Sequence, residues 1–256
     1  MPAARRITIS LLLALGLLAI AIPRSPGQNP NNPKGIDVSW YQGTINWTSV
    51  KNAGISFAII RAGHGDVANA SAGLNSIGVD VNFATNWPAA KAASIVRGAY
   101  WFVVPSASPS LAAHATALAT KFVNTVQPEK GDIQLAIDFE QNSNSLSKTD
   151  MQTWMQACVN QIQAMTHRPP LIYCGQSFWN SNMPSGASNM GCPLWVANWF
   201  VSSPALPSAW TTYAFWQYND NGTVTGITGN VDSDTFNGGA AAMTTYTYPR
   251  DPLNRR

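Results

Sequence analysis

Short apolar runs alternating with longer amphipathic segments constrain this chain more than any other feature. GIDVSW (35–40), FAIIRAG (57–63), IVRGAYWFVV (95–104), IQLAIDFE (133–140) and PLIYCG (170–175) read as strands. Between them, INWTSVKNAG (45–54, with Gly54 as the stop), 80–94, 108–126 and 147–167 carry helical spacing, the second of these disturbed by Pro88. Residues 64–79 are rich in Gly, Ala, Ser and Asn and read as a long loop. After Gly175 the rhythm changes. PLWVANW (193–199), YAFWQYN (213–219) and NVDSDTF (230–236) are strands joined by stretches with little room for long helices. Such alternation predicts a parallel β/α architecture, in which eight strands close a barrel and helices cover only its first part. In such barrels the C-terminal strand ends carry the chemistry.

The fourth strand poses a chemical question, because LAIDFEQN ends an apolar run with two carboxylates, Asp138 and Glu140. Burying an ionised carboxylate costs several kcal/mol unless something pairs with it. The chain has only two glutamates, Glu129 and Glu140, so a glutamate here is hard to read as ordinary surface charge. Residues two apart on a strand face the same way, with roughly 6.6 Å between their Cα atoms. Two like charges so placed repel, and one member holds its proton more tightly. Acid-catalysed glycoside cleavage needs that arrangement: a protonated carboxyl at the leaving oxygen and an ionised one near the anomeric carbon. Glu140, with the longer reach, is assigned the acid and Asp138 the ionised partner. The plainer alternative is a solvated strand end in which both groups cap the next loop. Asp37 lies near the end of the first strand and Asp232 on the last; with the pair they would complete an acidic cluster. Such a cluster could also take a divalent cation, but the abundance of tryptophan (10) and tyrosine (7) fits stacking on sugars better.

Other features exclude classes. The net charge of +3 comes without a basic stripe, which argues against nucleic acid. Only 11% of residues are charged and 45% are hydrophobic, so a sizeable core is expected and disorder is not. Residues 1–21 read as a signal peptide: Arg5 and Arg6, an apolar run, and Ala19-Ile20-Ala21 as a cleavage site. The rival is an uncleaved anchor, for which the run is somewhat short. Residues 22–33 form a loose lead-in, 34–241 the barrel domain, and 242–256 a polar tail that could hang free. Cys158, Cys174 and Cys192 permit one disulfide without indicating the pair. His64, His114 and His167 are isolated and read as surface or loop residues; no metal and no cofactor is expected. Asn46, Asn69 and Asn221 head glycosylation sequons that would matter only in a eukaryotic host.

GIDVSWYQGTINW, RGAYWFV, LAIDFEQN, LWVANW and FWQYNDNGTVTGITGNVDSDTFNG, in this order and across most of residues 34–238, resemble glycoside hydrolase family 25, the Chalaropsis-type lysozymes. The resemblance implies a modified TIM-like α/β barrel of five β/α units followed by three strands. It implies a retaining N-acetylmuramidase cutting the β-1,4 bond between N-acetylmuramic acid and N-acetylglucosamine in peptidoglycan. Glu140 would be the proton donor and Asp138 would assist at the anomeric carbon, with Asp37 and Asp232 at the other acidic positions. Tyr100, Trp195, Trp216 and Tyr218 would line the sugar groove. Secretion to the medium, periplasm or wall is expected, with no lasting membrane association, and a monomer is expected. The chain departs from the family pattern in its long 64–79 loop, in Trp101 where histidine is frequent, and in Asp234 where asparagine is common. Two rivals remain: a non-catalytic wall-binding barrel, and a hydrolase of another amino-sugar polymer such as chitin.

Overall fold

The computed structural model describes residues 29–65, 73–75 and 78–253. The expected signal segment, most of the lead-in, the middle of the 64–79 loop and Asn69 lie outside the described residues. Eight strands close one barrel in sequence order. They are β1 (Lys34–Val38), β2 (Phe57–His64), β3 (Val96–Phe102), β4 (Ala136–Asp138), β5 (Leu171–Gly175), β6 (Leu194–Ala197), β7 (Phe215–Gly222) and β8 (Val231–Phe236). Helices α1 (Trp47–Asn52), α2 (Phe83–Ala92), α3 (Leu111–Val126), α4 (Lys148–Thr166) and α5 (Gln176–Asn182) follow the first five strands in turn. The architecture is therefore the expected one, five β/α units and then three strands.

Strand alternation sorts the core into two layers. Phe57, Ile59, Ala136, Leu171, Trp195, Phe215 and Phe236 fill the barrel. Their neighbours Ala58, Ile60, Ile137, Ile172, Leu194 and Val196 face outward and pack with the helices. Gly35 belongs to the inner layer, where a Cβ would stand 2.2 Å from the Phe57 ring, so the glycine makes room for that ring. Three of the five helices, α1, α3 and α4, start on side-chain caps: Asn46, Ser110 and Ser147 accept from the N–H groups of Ser49, Ala113 and Asp150.

One strand direction differs from expectation. β1 to β7 pair in parallel, but β8 is antiparallel to both β7 and β1. The connection 223–230 is shorter than the roughly dozen residues that a parallel crossover needs. β8 therefore begins, rather than ends, at the chemically useful mouth, and its first residues lie there.

The tail also departs from expectation. A short helix α6 (Ala240–Met243) and a 3-10 turn (Thr244–Tyr246) follow β8. Met243 joins the inner core, and the Tyr246 ring meets Phe215 and Phe236 edge-on. Tyr248 is 1% exposed; its backbone bonds Gly131 and Asp132, and its hydroxyl accepts from the Leu135 N–H. The tail thus covers the barrel floor instead of hanging free. Polar spelling hid three apolar anchors spaced across six residues.

All three cysteines are buried free thiols, so the permitted disulfide is not formed. His114 is buried rather than superficial, its Nδ1 accepting from Trp154 Nε1 at 2.9 Å.

Candidate active site

The inward positions nearest the mouth are polar on seven of the eight strands: Asp37 (β1), Arg61 (β2), Tyr100 (β3), Asp138 (β4), Tyr173 (β5), Gln217 (β7) and Asp232 (β8), with Asp234 one layer deeper on β8 and Ala197 completing the ring from β6. Glu140 lies two residues beyond Asp138. The intervening Phe139 is fully buried on the outer side against Phe178 and Trp179. That anchor fixes the strand end and leaves Glu140 at the mouth, exposed to water, while Asp138 stays 5% exposed behind it. Glu140 borders a hollow of about 430 Å³ together with Gln176, Phe178, Asn198, Trp199 and Phe200. Asp37, Tyr100 and Asp232 border another of about 290 Å³, with Tyr41 and Asp220. A wider groove of about 790 Å³ between the starts of α1 and the 226–228 turn contains no carboxylate and lies apart from this chemistry.

The acids act on one another. Burial raises the Asp138 pKa well above the carboxylate range, and the charges of Glu140 and Asp37 add to it, while Arg61 opposes. Glu140, though exposed at the mouth, has enough protein around its carboxyl that desolvation raises it too. Asp37 is pushed well up by burial and then by the charge of Asp234. Asp232 rises to about 9, through burial and then Asp37's charge, and Asp234 to about 8, mainly through burial. Asp138 Oδ1 is buried without a hydrogen-bond partner among the described residues. The sequence therefore identified four carboxyls that the fold does bring together. Among the described residues no group of His, Cys, Asp and Glu is arranged to hold a metal ion.

The aromatic assignments need correction. Trp195, Trp216 and Tyr218 are only 1%, 1% and 2% exposed and cannot present faces to a sugar. Trp195 points inward but deep, donating from Nε1 to Asp234 Oδ1 at 2.8 Å. Trp216 and Tyr218 lie on the outer face of β7 in the helix-side core. Trp216 Nε1 holds the Asn198 carbonyl at 2.8 Å, which anchors the β6–β7 loop from behind. Of the four, Tyr100 alone borders a hollow at the mouth. The exposed aromatics are instead Tyr41, Trp199 and Phe200. Phe200 holds a left-handed backbone, φ +58°, a strained setting for a bulky residue and one that recurs at functional rims.

Gln217 and Arg61 were missed. Gln217 Oε1 accepts from Tyr173 Oη and Trp199 Nε1, each at 2.8 Å, and its Nε2 donates to Asp37 Oδ2 at 2.7 Å. The two-residue period could have found it: a strand that buries Trp216 and Tyr218 on one face must turn Gln217 to the other. Arg61 is buried, its Nε bonded to Asp80 Oδ2 at 2.7 Å. Its signal was an arginine inside the apolar run FAIIRAG. The Trp101 departure is remote from the cleft, since its ring is buried on the outer face and its Nε1 donates to the Gly65 carbonyl.

Comparison with known proteins agrees with this geometry. Residues 36–227 match the family model described as glycosyl hydrolases family 25. Lysozyme M1 of Streptomyces globisporus is 38% identical over 219 residues, covering 82% of this chain and 69% of that protein. The N,O-diacetylmuramidase of Chalaropsis sp is 29% identical, over 78% of this chain and 96% of its own length. The crystal structure of the bacterial lysozyme from Streptomyces coelicolor superposes with a TM-score of 0.74 at 36% identity, over 86% of this chain and 99% of that one. A matched family model spanning most of the barrel, and a relative this similar, place the chain in glycoside hydrolase family 25, and make it a glycoside hydrolase of the muramidase type.

Proposed function

We propose that this chain is a secreted, monomeric N-acetylmuramidase that cuts the β-1,4 bond after N-acetylmuramic acid in peptidoglycan with retention of configuration. Glu140 is the general acid and Asp138 assists at the anomeric carbon. The observation that carries this reading is the unequal placing of two neighbouring acids: Glu140 at the mouth, Asp138 sealed behind it. Burial raises Glu140, which favours its carrying a proton to the leaving oxygen. Burial and the charges of Glu140 and Asp37 hold Asp138 up, with Arg61 opposing them; the positive charge that grows on the sugar must draw Asp138 into its ionised form. As the glycosidic bond breaks, positive charge grows at the anomeric carbon, and Asp138 and Asp37 lie where a negative wall stabilises it. The charge of Glu140 acts on Asp138, so the two carboxyls are near enough to work on one bond; retention itself rests on the resemblance to the family. Trp199, Phe200 and Tyr41 offer sugar-stacking surfaces on the two sides of the acids. The acids and both hollows come from one chain, so the proposed chemistry needs no second subunit. Export rests on the apolar leader read from residues 1–21; among the described residues no helix is long and apolar enough to cross a membrane.

The test is Glu140→Gln. Release of reducing ends from peptidoglycan should fall on the order of 10²-fold or more while the fold persists. Full activity in that variant would remove Glu140 from the role. Proton NMR of the first-formed product should show the β-anomer; an α-product would replace retention by inversion.

A further inference from the structure

Strand β2 breaks its own alternation at the mouth. Arg61 pairs with Tyr100, but Gly63 pairs with Trp101 and His64 with Phe102, so one extra residue is taken up between Arg61 and Gly63. Ala62 packs in the outer core, and a Cβ on Gly63 would stand 2.4 Å from the Trp101 ring on that same outer face. Both residues therefore face out, and the bulge returns His64 to the inner side, where a strict two-residue period would have turned it away. Hydrogen bonds hold this turn. The His64 N–H donates to the Gly78 carbonyl at 3.0 Å and the Gly65 N–H to the Phe102 carbonyl at 2.8 Å. Trp101 Nε1 donates to the Gly65 carbonyl from behind at 2.8 Å, and Gly65 has φ +54°, a setting glycine takes without strain.

The bulge produces a pair of stacked rings. His64 and Phe102 have centroids 4.2 Å apart and planes 28° from parallel, and both are partly exposed. Phe102 belongs to neither buried core layer, although it shares the inner side with Tyr100. Phe102 is also the register partner of Asp138. His64 thus lies two strand spacings from Asp138, about 10 Å along the mouth. Trp199 and Phe200 flank Glu140 from the other direction, beyond β5 and β6. Burial and then the charge of Arg61 hold His64 below its ordinary pKa, so near neutral pH its ring is uncharged. A pyranose ring has an apolar face of C–H groups, and resting that face on aromatic surface removes both from water. We propose that the stacked His64–Phe102 pair is a distal sugar platform, carrying an amino-sugar ring of the glycan strand beyond the one whose bond is cut. Gly63, Gly65 and Trp101 are the positioning residues that hold the bulge presenting it. The inference rests on the glycosidase reading for the identity of the glycan and adds a binding position away from the acids.

Peptide-free glycan strands of two lengths test this, the shortest that wild type cuts and one several sugars longer. His64→Ala should lower kcat/KM on the long strand by about fivefold or more and leave the short one within about twofold of wild type. His64→Phe keeps a ring on Phe102 and should stay within about twofold on both. An equal loss on both lengths would move His64's role to the acids, and no loss on either would reduce the pair to surface packing. A loss confined to strands that keep their peptide stems would give the position to peptide. Each of these overturns the proposal, as does a loss in His64→Phe equal to that in His64→Ala. Calorimetric binding of the long strand to the Glu140→Gln protein gives a readout without cleavage; adding His64→Ala should weaken it by about fivefold or more. A wild type that binds the strand without cutting it sinks the glycosidase reading and leaves the platform standing. Cleavage with binding unmoved by His64→Ala does the reverse, and a wild type that neither binds nor cuts sinks both.

Discussion

Gln217 shows how one side chain can join the two sides of the cleft. Its oxygen holds Trp199 beside the Glu140 hollow, and its nitrogen holds Asp37 in the other. Gln217→Leu leaves two buried partners, Tyr173 and Asp37, and the exposed Trp199 short of a bond, at about 1–3 kcal/mol for each buried unsatisfied group. Activity should drop by about tenfold or more, with a smaller change in KM, in steady-state assays on soluble peptidoglycan fragments. Phe200 argues the opposite trade. Its left-handed backbone costs roughly 1–2 kcal/mol in a residue with a Cβ. Phe200→Gly should therefore raise the unfolding midpoint while weakening substrate binding, read as a higher KM with kcat nearly kept. A lower midpoint would show that the ring packs more than it strains. The acids at this scale were legible because carboxylates in apolar runs are costly and conspicuous. The aromatics were not, because Trp216 and Tyr218 occur on the outer parity of β7, and residue type alone does not reveal parity. Only Gln217, placed between them, carried that information.

At the scale of elements, periodicity located all eight strands and the first four helices to within a few residues, since each has a buried face to mark it. Direction was not encoded the same way. β8 runs antiparallel because its connection is too short for a crossover, and loop length, not strand composition, was the clue. The tail misled for a related reason: Met243, Tyr246 and Tyr248 are sparse among threonines, yet they seal the floor under Phe215 and Phe236. Tyr248→Ala should destabilise by about 3–5 kcal/mol, as large aromatic truncations in cores do, measured by urea unfolding. A change under about 1 kcal/mol would mean the tail is dispensable to the barrel. The three thiols, buried and with pKa values raised by burial, should resist thiol reagents until the protein unfolds.

The molecule is a barrel whose mouth concentrates acids, with the Arg61 guanidinium facing them from within. This has a consequence for stability. Asp232 and Asp234, raised to about 9 and about 8, keep protons in the folded state that the unfolded chain releases near pH 4. Folded protein therefore binds more protons between these limits, and its stability falls as pH rises through them. The contribution is complete below about pH 4 and lost by about pH 9. The unfolding midpoint should decline from pH 5 to pH 9, less steeply in Asp234→Asn; a flat or rising midpoint would contradict the buried, protonated acids. The central claim is that Glu140 hands a proton to the oxygen between two amino sugars. Mass spectrometry of muropeptides, after digestion of purified peptidoglycan by wild type and by Glu140→Gln, tests it most directly. The account predicts disaccharide fragments ending in reducing N-acetylmuramic acid from wild type, and none above the enzyme-free background from the variant. Fragments ending in reducing N-acetylglucosamine, cleavage only in the peptide stems, or equal digestion by the variant would contradict it.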